Sequence, residues 1–208
     1  VAALDVLDRV DPQAHRIGAV NTVVVEVDGT LTGMNTDGFG YIQSLLDVRP
    51  DWRADAGPAM VVGAGGAARA VIVALMENGA QEIRLTNRSA DKAKNMAPEF
   101  GSKVVAIPWR DRHDTLAGAA LLVNTTNQGM HGEPALDLNL QQLPNTALVS
   151  DIVYVPMETP LIAAARARGN LTVNGLGMLL HQARPAFAAW FGVRPEVTPN
   201  LREQIQAT

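Results

Sequence analysis

Residues 59–70 read AMVVGAGGAARA, a short apolar run that enters Gly63, Ala64, Gly65, Gly66, Ala67 and Ala68 and leaves as a helix-forming stretch. A glycine turn between a strand and a helix restricts the fold more than any other feature here. The first glycine permits the reversal, and the second leaves the backbone bare enough for a phosphate to approach. The helix N-terminus behind them favours negative charge. Ala68 stands where a third glycine often sits. Further apolar runs at 83–86, 104–107, 119–123 and 147–153 alternate with helical patterns at 67–78, 90–100 and 160–168. Strand and helix in alternation specify a parallel sheet, and runs that are apolar on consecutive positions specify helices on both of its faces. The expected class is therefore α/β, a doubly wound parallel sheet.

The residues at the tip of the second strand select the nucleotide. A site for NAD offers an Asp or Glu about 20 residues beyond the glycines, to accept hydrogen bonds from the ribose hydroxyls. This chain offers Asn87, Arg88 and Ser89 instead, with Lys92 one helical turn further on. Those residues suit a 2′-phosphate, so the expected cofactor is NADP, and the missing carboxylate also argues against an S-adenosylmethionine site.

The flanks of this unit read differently. Val1, Leu4, Leu7 and Val10 recur at spacing three, which predicts a helix over 1–10; with no capping residue before it, the chain reads as the C-terminal part of something longer. Val23, Val24, Val25 and Val27 face Leu31 across Asp28-Gly29, which predicts a tight hairpin over 21–32. A helix is expected over 38–48, and two more, 176–191 and 196–206, should return to pack on the N-terminal piece. The expected division is 1–37 as part of a substrate domain, 38–175 as a Rossmann-like nucleotide domain, and 176–208 as helices returning to the first.

Composition narrows the possible partners. The 208 residues carry a formal charge of -4 with scattered basic residues and no Cys, which gives no footprint for nucleic acid and fits the cytoplasm as a reducing compartment. No apolar run is long enough for a membrane span. His15, His113, His131 and His181 show no metal-ligand spacing, so no metal is expected, and no nucleophile elbow is present. Asp37, after Asn35-Thr36 and before a helix, suits either a helix cap or chemistry. Asn21, Tyr154 and Gln182 are equally open between structural and functional roles on spacing alone.

The segments GAVNT at 18–22, GMNTDG at 33–38, VVGAGGAARA at 61–70, TNRS at 86–89, NTTNQGMHG at 124–132, DIVYVPMETPL at 151–161 and NGLGMLLHQA at 174–183, kept in that order, resemble the shikimate dehydrogenase family. The resemblance implies reversible hydride transfer between NADPH and the carbonyl of 3-dehydroshikimate, on the route to chorismate and the aromatic amino acids. It implies a two-domain enzyme whose small-molecule substrate lies in the cleft between the domains. Asp37 would be the aspartate of a catalytic Lys and Asp pair and would hold a ring hydroxyl. Asn21, Tyr154 and Gln182 would contact the substrate as well. Gly63, Ala64, Gly65, Gly66 and Ala67 would hold the pyrophosphate, Asn87, Arg88, Ser89 and Lys92 the adenosine phosphate, and Ile152 and Gly175 would lie near the nicotinamide. The lysine of the pair and two carboxylate-binding serines lie upstream in that family. Lys92, Lys94 and Lys103 belong to the nucleotide unit and cannot replace it, so these 208 residues alone are expected to bind NADP with little turnover. A quinate-specific paralogue and a non-catalytic NADP-binding module are the competing readings. Apolar surface left exposed around the hairpin would favour self-association.

Overall fold

The computed structural model describes residues 4–206. In chain order the elements are β1 (Arg9–Val10), α1 (Pro12–Ile17), β2 (Thr22–Val25), β3 (Leu31–Met34), α2 (Asp37–Val48), β4 (Ala59–Val62), α3 (Gly66–Glu77), β5 (Ile83–Thr86) and α4 (Ala90–Met96). They continue with β6 (Val104–Ile107), β7 (Leu121–Asn124), β8 (Leu148–Asp151), α5 (Pro160–Ala167), β9 (Thr172–Val173), α6 (Gly175–Phe191) and α7 (Pro199–Gln206).

Six strands form one parallel sheet in the order β6-β5-β4-β7-β8-β9, which is 3-2-1-4-5-6 when counted from β4. The doubly wound expectation thus holds, with β9 added at the edge. Alternation along β4 divides its side chains between two cores. Val61 joins Leu85, Val71, Leu75 and Leu45 on one face, while Met60 and Val62 join Leu122, Leu116 and Leu161 on the other. All of β4 is buried, and each large side chain placed there contributes about 1.5–3 kcal/mol. The order reverses between β4 and β7, so the loops leaving their carboxyl ends open a crevice there.

The N-terminal region departs from expectation. Residues 1–3 of the predicted first helix lie outside the described residues, Leu4–Val6 form a single 3-10 turn, and Arg9–Val10 form a strand parallel to β3. The Asp8 N–H donates to the Leu31 carbonyl at 3.1 Å, and the Asp8 carboxylate accepts from the Leu31 N–H at 2.8 Å. A short amphipathic pattern is marginal as a helix and yields to such pairing. The helix lies just beyond, in α1, where Asp11 accepts from the N–H groups of Gln13 and Ala14, Pro12 opens the first turn, and Gly18 closes the last at φ +77°. That cap, proline and glycine sequence was a usable signal for a helix over 12–17, which the spacing of Val1, Leu4, Leu7 and Val10 placed too early.

The hairpin forms, but its turn is wider than predicted. Val25 pairs with Leu31, and Val27 stands in the loop rather than in the strand. The Gly29 N–H donates to the Glu26 carbonyl at 2.9 Å, and the Glu26 N–H donates to the Thr30 carbonyl at 2.8 Å. Only Gly29 is left-handed, at φ +85°, so Asp28 keeps an ordinary conformation. The predicted helix over 90–100 breaks into α4 and a 3-10 turn at Ala97–Phe100, because Pro98 has no N–H to continue the ladder.

Candidate active site

At the crevice, a cleft of about 210 Å³ is lined by Gly63, Asn87, Arg88, Ser89, Lys92, Trp109 and the loop Thr126–Gln128. Gly63 is obligatory: its φ is +113°, and an added Cβ would stand 2.5 Å from the Thr125 hydroxyl. Its N–H donates to the Thr86 carbonyl at 2.8 Å, tying the turn to β5. Gly65 and Gly66 differ, since a Cβ on either would meet no atom within 4 Å. The protein itself imposes no packing reason for glycine there, whereas a ligand lying against the backbone would. Gly65 caps α3 with no side-chain bond, so the first amides of the helix remain available.

Asn87 serves as a brace. Its amide oxygen accepts from the Ala64 N–H at 3.2 Å and its amide nitrogen donates to the Ser89 carbonyl at 2.9 Å, which joins the tip of β5 to the glycine turn. Arg88 and Lys92 carry the charge. Among the described residues neither side chain has a hydrogen-bond or ion-pair partner, and no acidic residue lines the cleft. Two unpaired cations beside bare helix amides fit a phosphorylated ligand, and a dinucleotide with a 2′-phosphate fits all of these groups.

A second cleft, of about 370 Å³, lies between the start of α2 and one face of α6, lined by Asn21, Thr22, Thr36, Asp37, Leu179, Gln182, Phe187 and Trp190. The Asn21 amide nitrogen donates to the Asp37 carboxylate at 2.8 Å, and its oxygen accepts from the Thr36 N–H and hydroxyl at 3.1 and 3.2 Å. Asn35 accepts from the Asp37 N–H at 3.0 Å. Asp37 is therefore not a cap: Thr36 holds that position with no side-chain bond, and the carboxylate is turned to Asn21. Burial pushes its carboxyl above the ordinary range, while the Asn21 hydrogen bond opposes this more weakly.

Gln182 reaches this cleft because α2 and α6 approach unusually closely. A Cβ on Gly40 would stand 2.7 Å from both the Gln182 nitrogen and the Met178 carbonyl oxygen. Gly40→Ala must push the helices apart against backbone atoms. It should cost about 1–3 kcal/mol, and it should weaken ligand binding at Asp37 more than at the glycine turn. Denaturant melts and calorimetry at the two clefts would check this; equal losses at both would contradict it.

The remaining expected site residues fall elsewhere. Tyr154, 38% exposed in the segment after β8, lines neither cleft. Ile152 and Gly175 also line neither; they meet each other, and a Cβ on Gly175 would overlap the Ile152 carbonyl. Ala67 is the second residue of α3, behind the turn. Sequence reasoning assigned no site role to Trp109, to Thr126–Gln128 or to the α6 aromatics. The position of NTTNQG at the carboxyl end of β7, at the reversal in strand order, was a usable signal for the second of these.

Strand order, glycine turn and basic cleft define a doubly wound, dinucleotide-binding class of protein, here with a second cleft built around a half-buried carboxylate. The family model described as "Shikimate / quinate 5-dehydrogenase" matches residues 53–132, and that of the "Shikimate 5'-dehydrogenase C-terminal domain" matches 175–199. The chain is 55% identical to the shikimate dehydrogenase (NADP(+)) of Paramagnetospirillum magneticum, with 97% of this chain and 73% of that protein covered. Among solved structures it is similar to shikimate 5-dehydrogenase from Thermus thermophilus in complex with NADP(H) and shikimate, at 39% identity and TM-score 0.84, covering 99% and 74% of the two chains. Quinate dehydrogenase from Corynebacterium glutamicum in complex with NAD matches at 35% identity and TM-score 0.91, covering 100% and 74%. The chain belongs to the shikimate dehydrogenase family.

Proposed function

We propose that this chain provides the NADP site and the aspartate of an enzyme that interconverts 3-dehydroshikimate and shikimate. The observation that carries the reading is the Asp37 carboxylate, held by Asn21 in a cleft it shares with Gln182 and free of any capping duty. A polyhydroxylated ring needs such fixed amide and carboxylate partners. The bound cofactor supplies hydride chemistry at the substrate carbonyl. The protein's own groups bind and orient: Gly63 to Ala67 receive the pyrophosphate, Ser89 and Lys92 join Arg88 at the 2′-phosphate, and Asn87 holds the turn. Ile152 and Gly175 shape the approach to the nicotinamide end, and Tyr154 closes on the substrate from the segment after β8. Residues 1–37 and 176–208 make up the substrate side, and 38–175 the nucleotide side.

Quinate is the competing substrate, favoured by the likeness to the Corynebacterium enzyme. The substrate carboxylate site and the catalytic lysine implied by the family are not among these residues, since Lys92, Lys94 and Lys103 all lie on the nucleotide side. The chain alone is therefore expected to bind NADP more tightly than NAD in calorimetry while turning over little. Joined to a relative's lysine-bearing upstream segment, it should be fastest with shikimate and NADP among the four pairings of shikimate or quinate with NADP or NAD. Preference for quinate would exchange the two substrate readings, and failure with all four would favour a non-catalytic nucleotide-binding module.

A further inference from the structure

Trp109 stands on the 3-10 turn Trp109–Asp111 that follows β6, beyond every motif of the glycine turn, yet it lines the same cleft as Arg88 and Lys92. Its ring is anchored on two sides. It packs against the core cluster that holds Val62, Leu116 and Leu122, and the Arg112 guanidinium carbon lies over one face, 4.5 Å from the ring centroid. Arg112 is itself fixed. It is 8% exposed, donates to the carbonyls of Trp109 and Asp137 at 2.8 Å each, and pairs with the Asp137 carboxylate. A guanidinium with all three nitrogens engaged cannot swing aside, so the indole is held as a preformed plane at the border of the cleft.

The other groups there account for the charged parts of a dinucleotide. The glycine turn and helix amides face phosphate, and Arg88 and Lys92 supply the countercharge for a monoester. A flat base remains without a partner, and a fixed indole is the matching surface, because stacking uses the π-face that every base has. We propose that Trp109, backed by Arg112 as a positioning residue, is the stacking platform for the purine base of the nucleotide. This rests on the NADP reading above and adds to it a binding residue from the turn after the third strand, β6, rather than from the turns after the first two.

The test uses 2′,5′-ADP, which carries the base, the 2′-phosphate and the adenosine-side phosphate of the bridge without the nicotinamide half. In calorimetry, Trp109→Ala should weaken it about 5- to 100-fold, with Trp109→Phe keeping most of the affinity. Inorganic pyrophosphate, which has no base, should bind both variants as it binds the wild type. Indole emission should be quenched by 2′,5′-ADP in Trp52→Phe and Trp190→Phe proteins and not in Trp109→Phe. Arg112→Met should weaken 2′,5′-ADP and reduce that quench while leaving pyrophosphate alone.

Wild-type affinity in Trp109→Ala, or an undiminished quench in Trp109→Phe, would overturn the assignment while leaving the NADP reading intact. Loss of pyrophosphate together with 2′,5′-ADP in both Trp109 variants would also overturn it, since the side chain would then be supporting the fold. No binding of 2′,5′-ADP to the wild type would remove the NADP reading and this inference together.

Discussion

Asp37→Asn should lower kcat/KM for shikimate by about 10²- to 10⁴-fold, measured in the chain joined to the lysine-bearing segment, with NADP affinity unchanged. The substitution is nearly isosteric and keeps an oxygen to accept from the Asn21 amide, so the loss would report the negative charge and not the shape. Stability should move the other way. Burial raises the Asp37 carboxyl above its ordinary range, so the folded chain holds that proton more tightly than the unfolded chain does. Ionisation therefore costs stability at pH values above the raised pKa, and the cost disappears below the ordinary one. Asp37→Asn removes that cost. Its melting temperature should match or exceed the wild type at pH 7, with any advantage fading as pH falls through the range in which Asp37 takes up its proton. A variant that loses activity and also melts lower at pH 7 would show that the carboxylate supports the fold.

Arg88→Ala should weaken NADP by about 10- to 150-fold and leave NAD nearly unchanged, because a charge-assisted hydrogen bond is worth about 1.5–3 kcal/mol and only NADP carries the group that receives it. Arg88 is exposed and has no internal acid to release, so its charge is available without breaking another pair. The same exposure makes the contribution sensitive to salt, and the NADP to NAD ratio should fall as ionic strength rises. Calorimetry with both cofactors at two salt concentrations would check this. A parallel loss of both would place Arg88 on the pyrophosphate or in the fold.

The two halves of the molecule were not equally legible. Around β4 every local signal agrees: consecutive buried apolar residues, a glycine whose φ of +113° and close neighbours exclude a side chain, and a helix with no cap of its own. The absent carboxylate after β5 could also be read directly, because the offset from the glycines follows from the length of one helix and one strand. Around the N-terminus the signals conflicted. The spacing of Leu4, Leu7 and Val10 suits a helix in isolation, but Asp8 and Asp11 pair with β3, more than 20 residues away. Trp109 was silent for a related reason, since a lone aromatic after a strand carries no period or motif.

The chain's own order of residues settles the open, two-sided sheet and the chemistry of its glycine turn, because both arise within one strand, one turn and one helix. It does not settle the use of Asp37. The Asn21 amide comes from the residue before β2 and Gln182 from the middle of α6; Asn21 binds the carboxylate directly, and Gln182 shares its cleft because Gly40 leaves no side chain between α2 and α6, where a Cβ would stand 2.7 Å from α6 backbone atoms. A helix cap and a substrate ligand look identical along the chain; packing between distant segments turns the carboxylate from the helix toward the cleft.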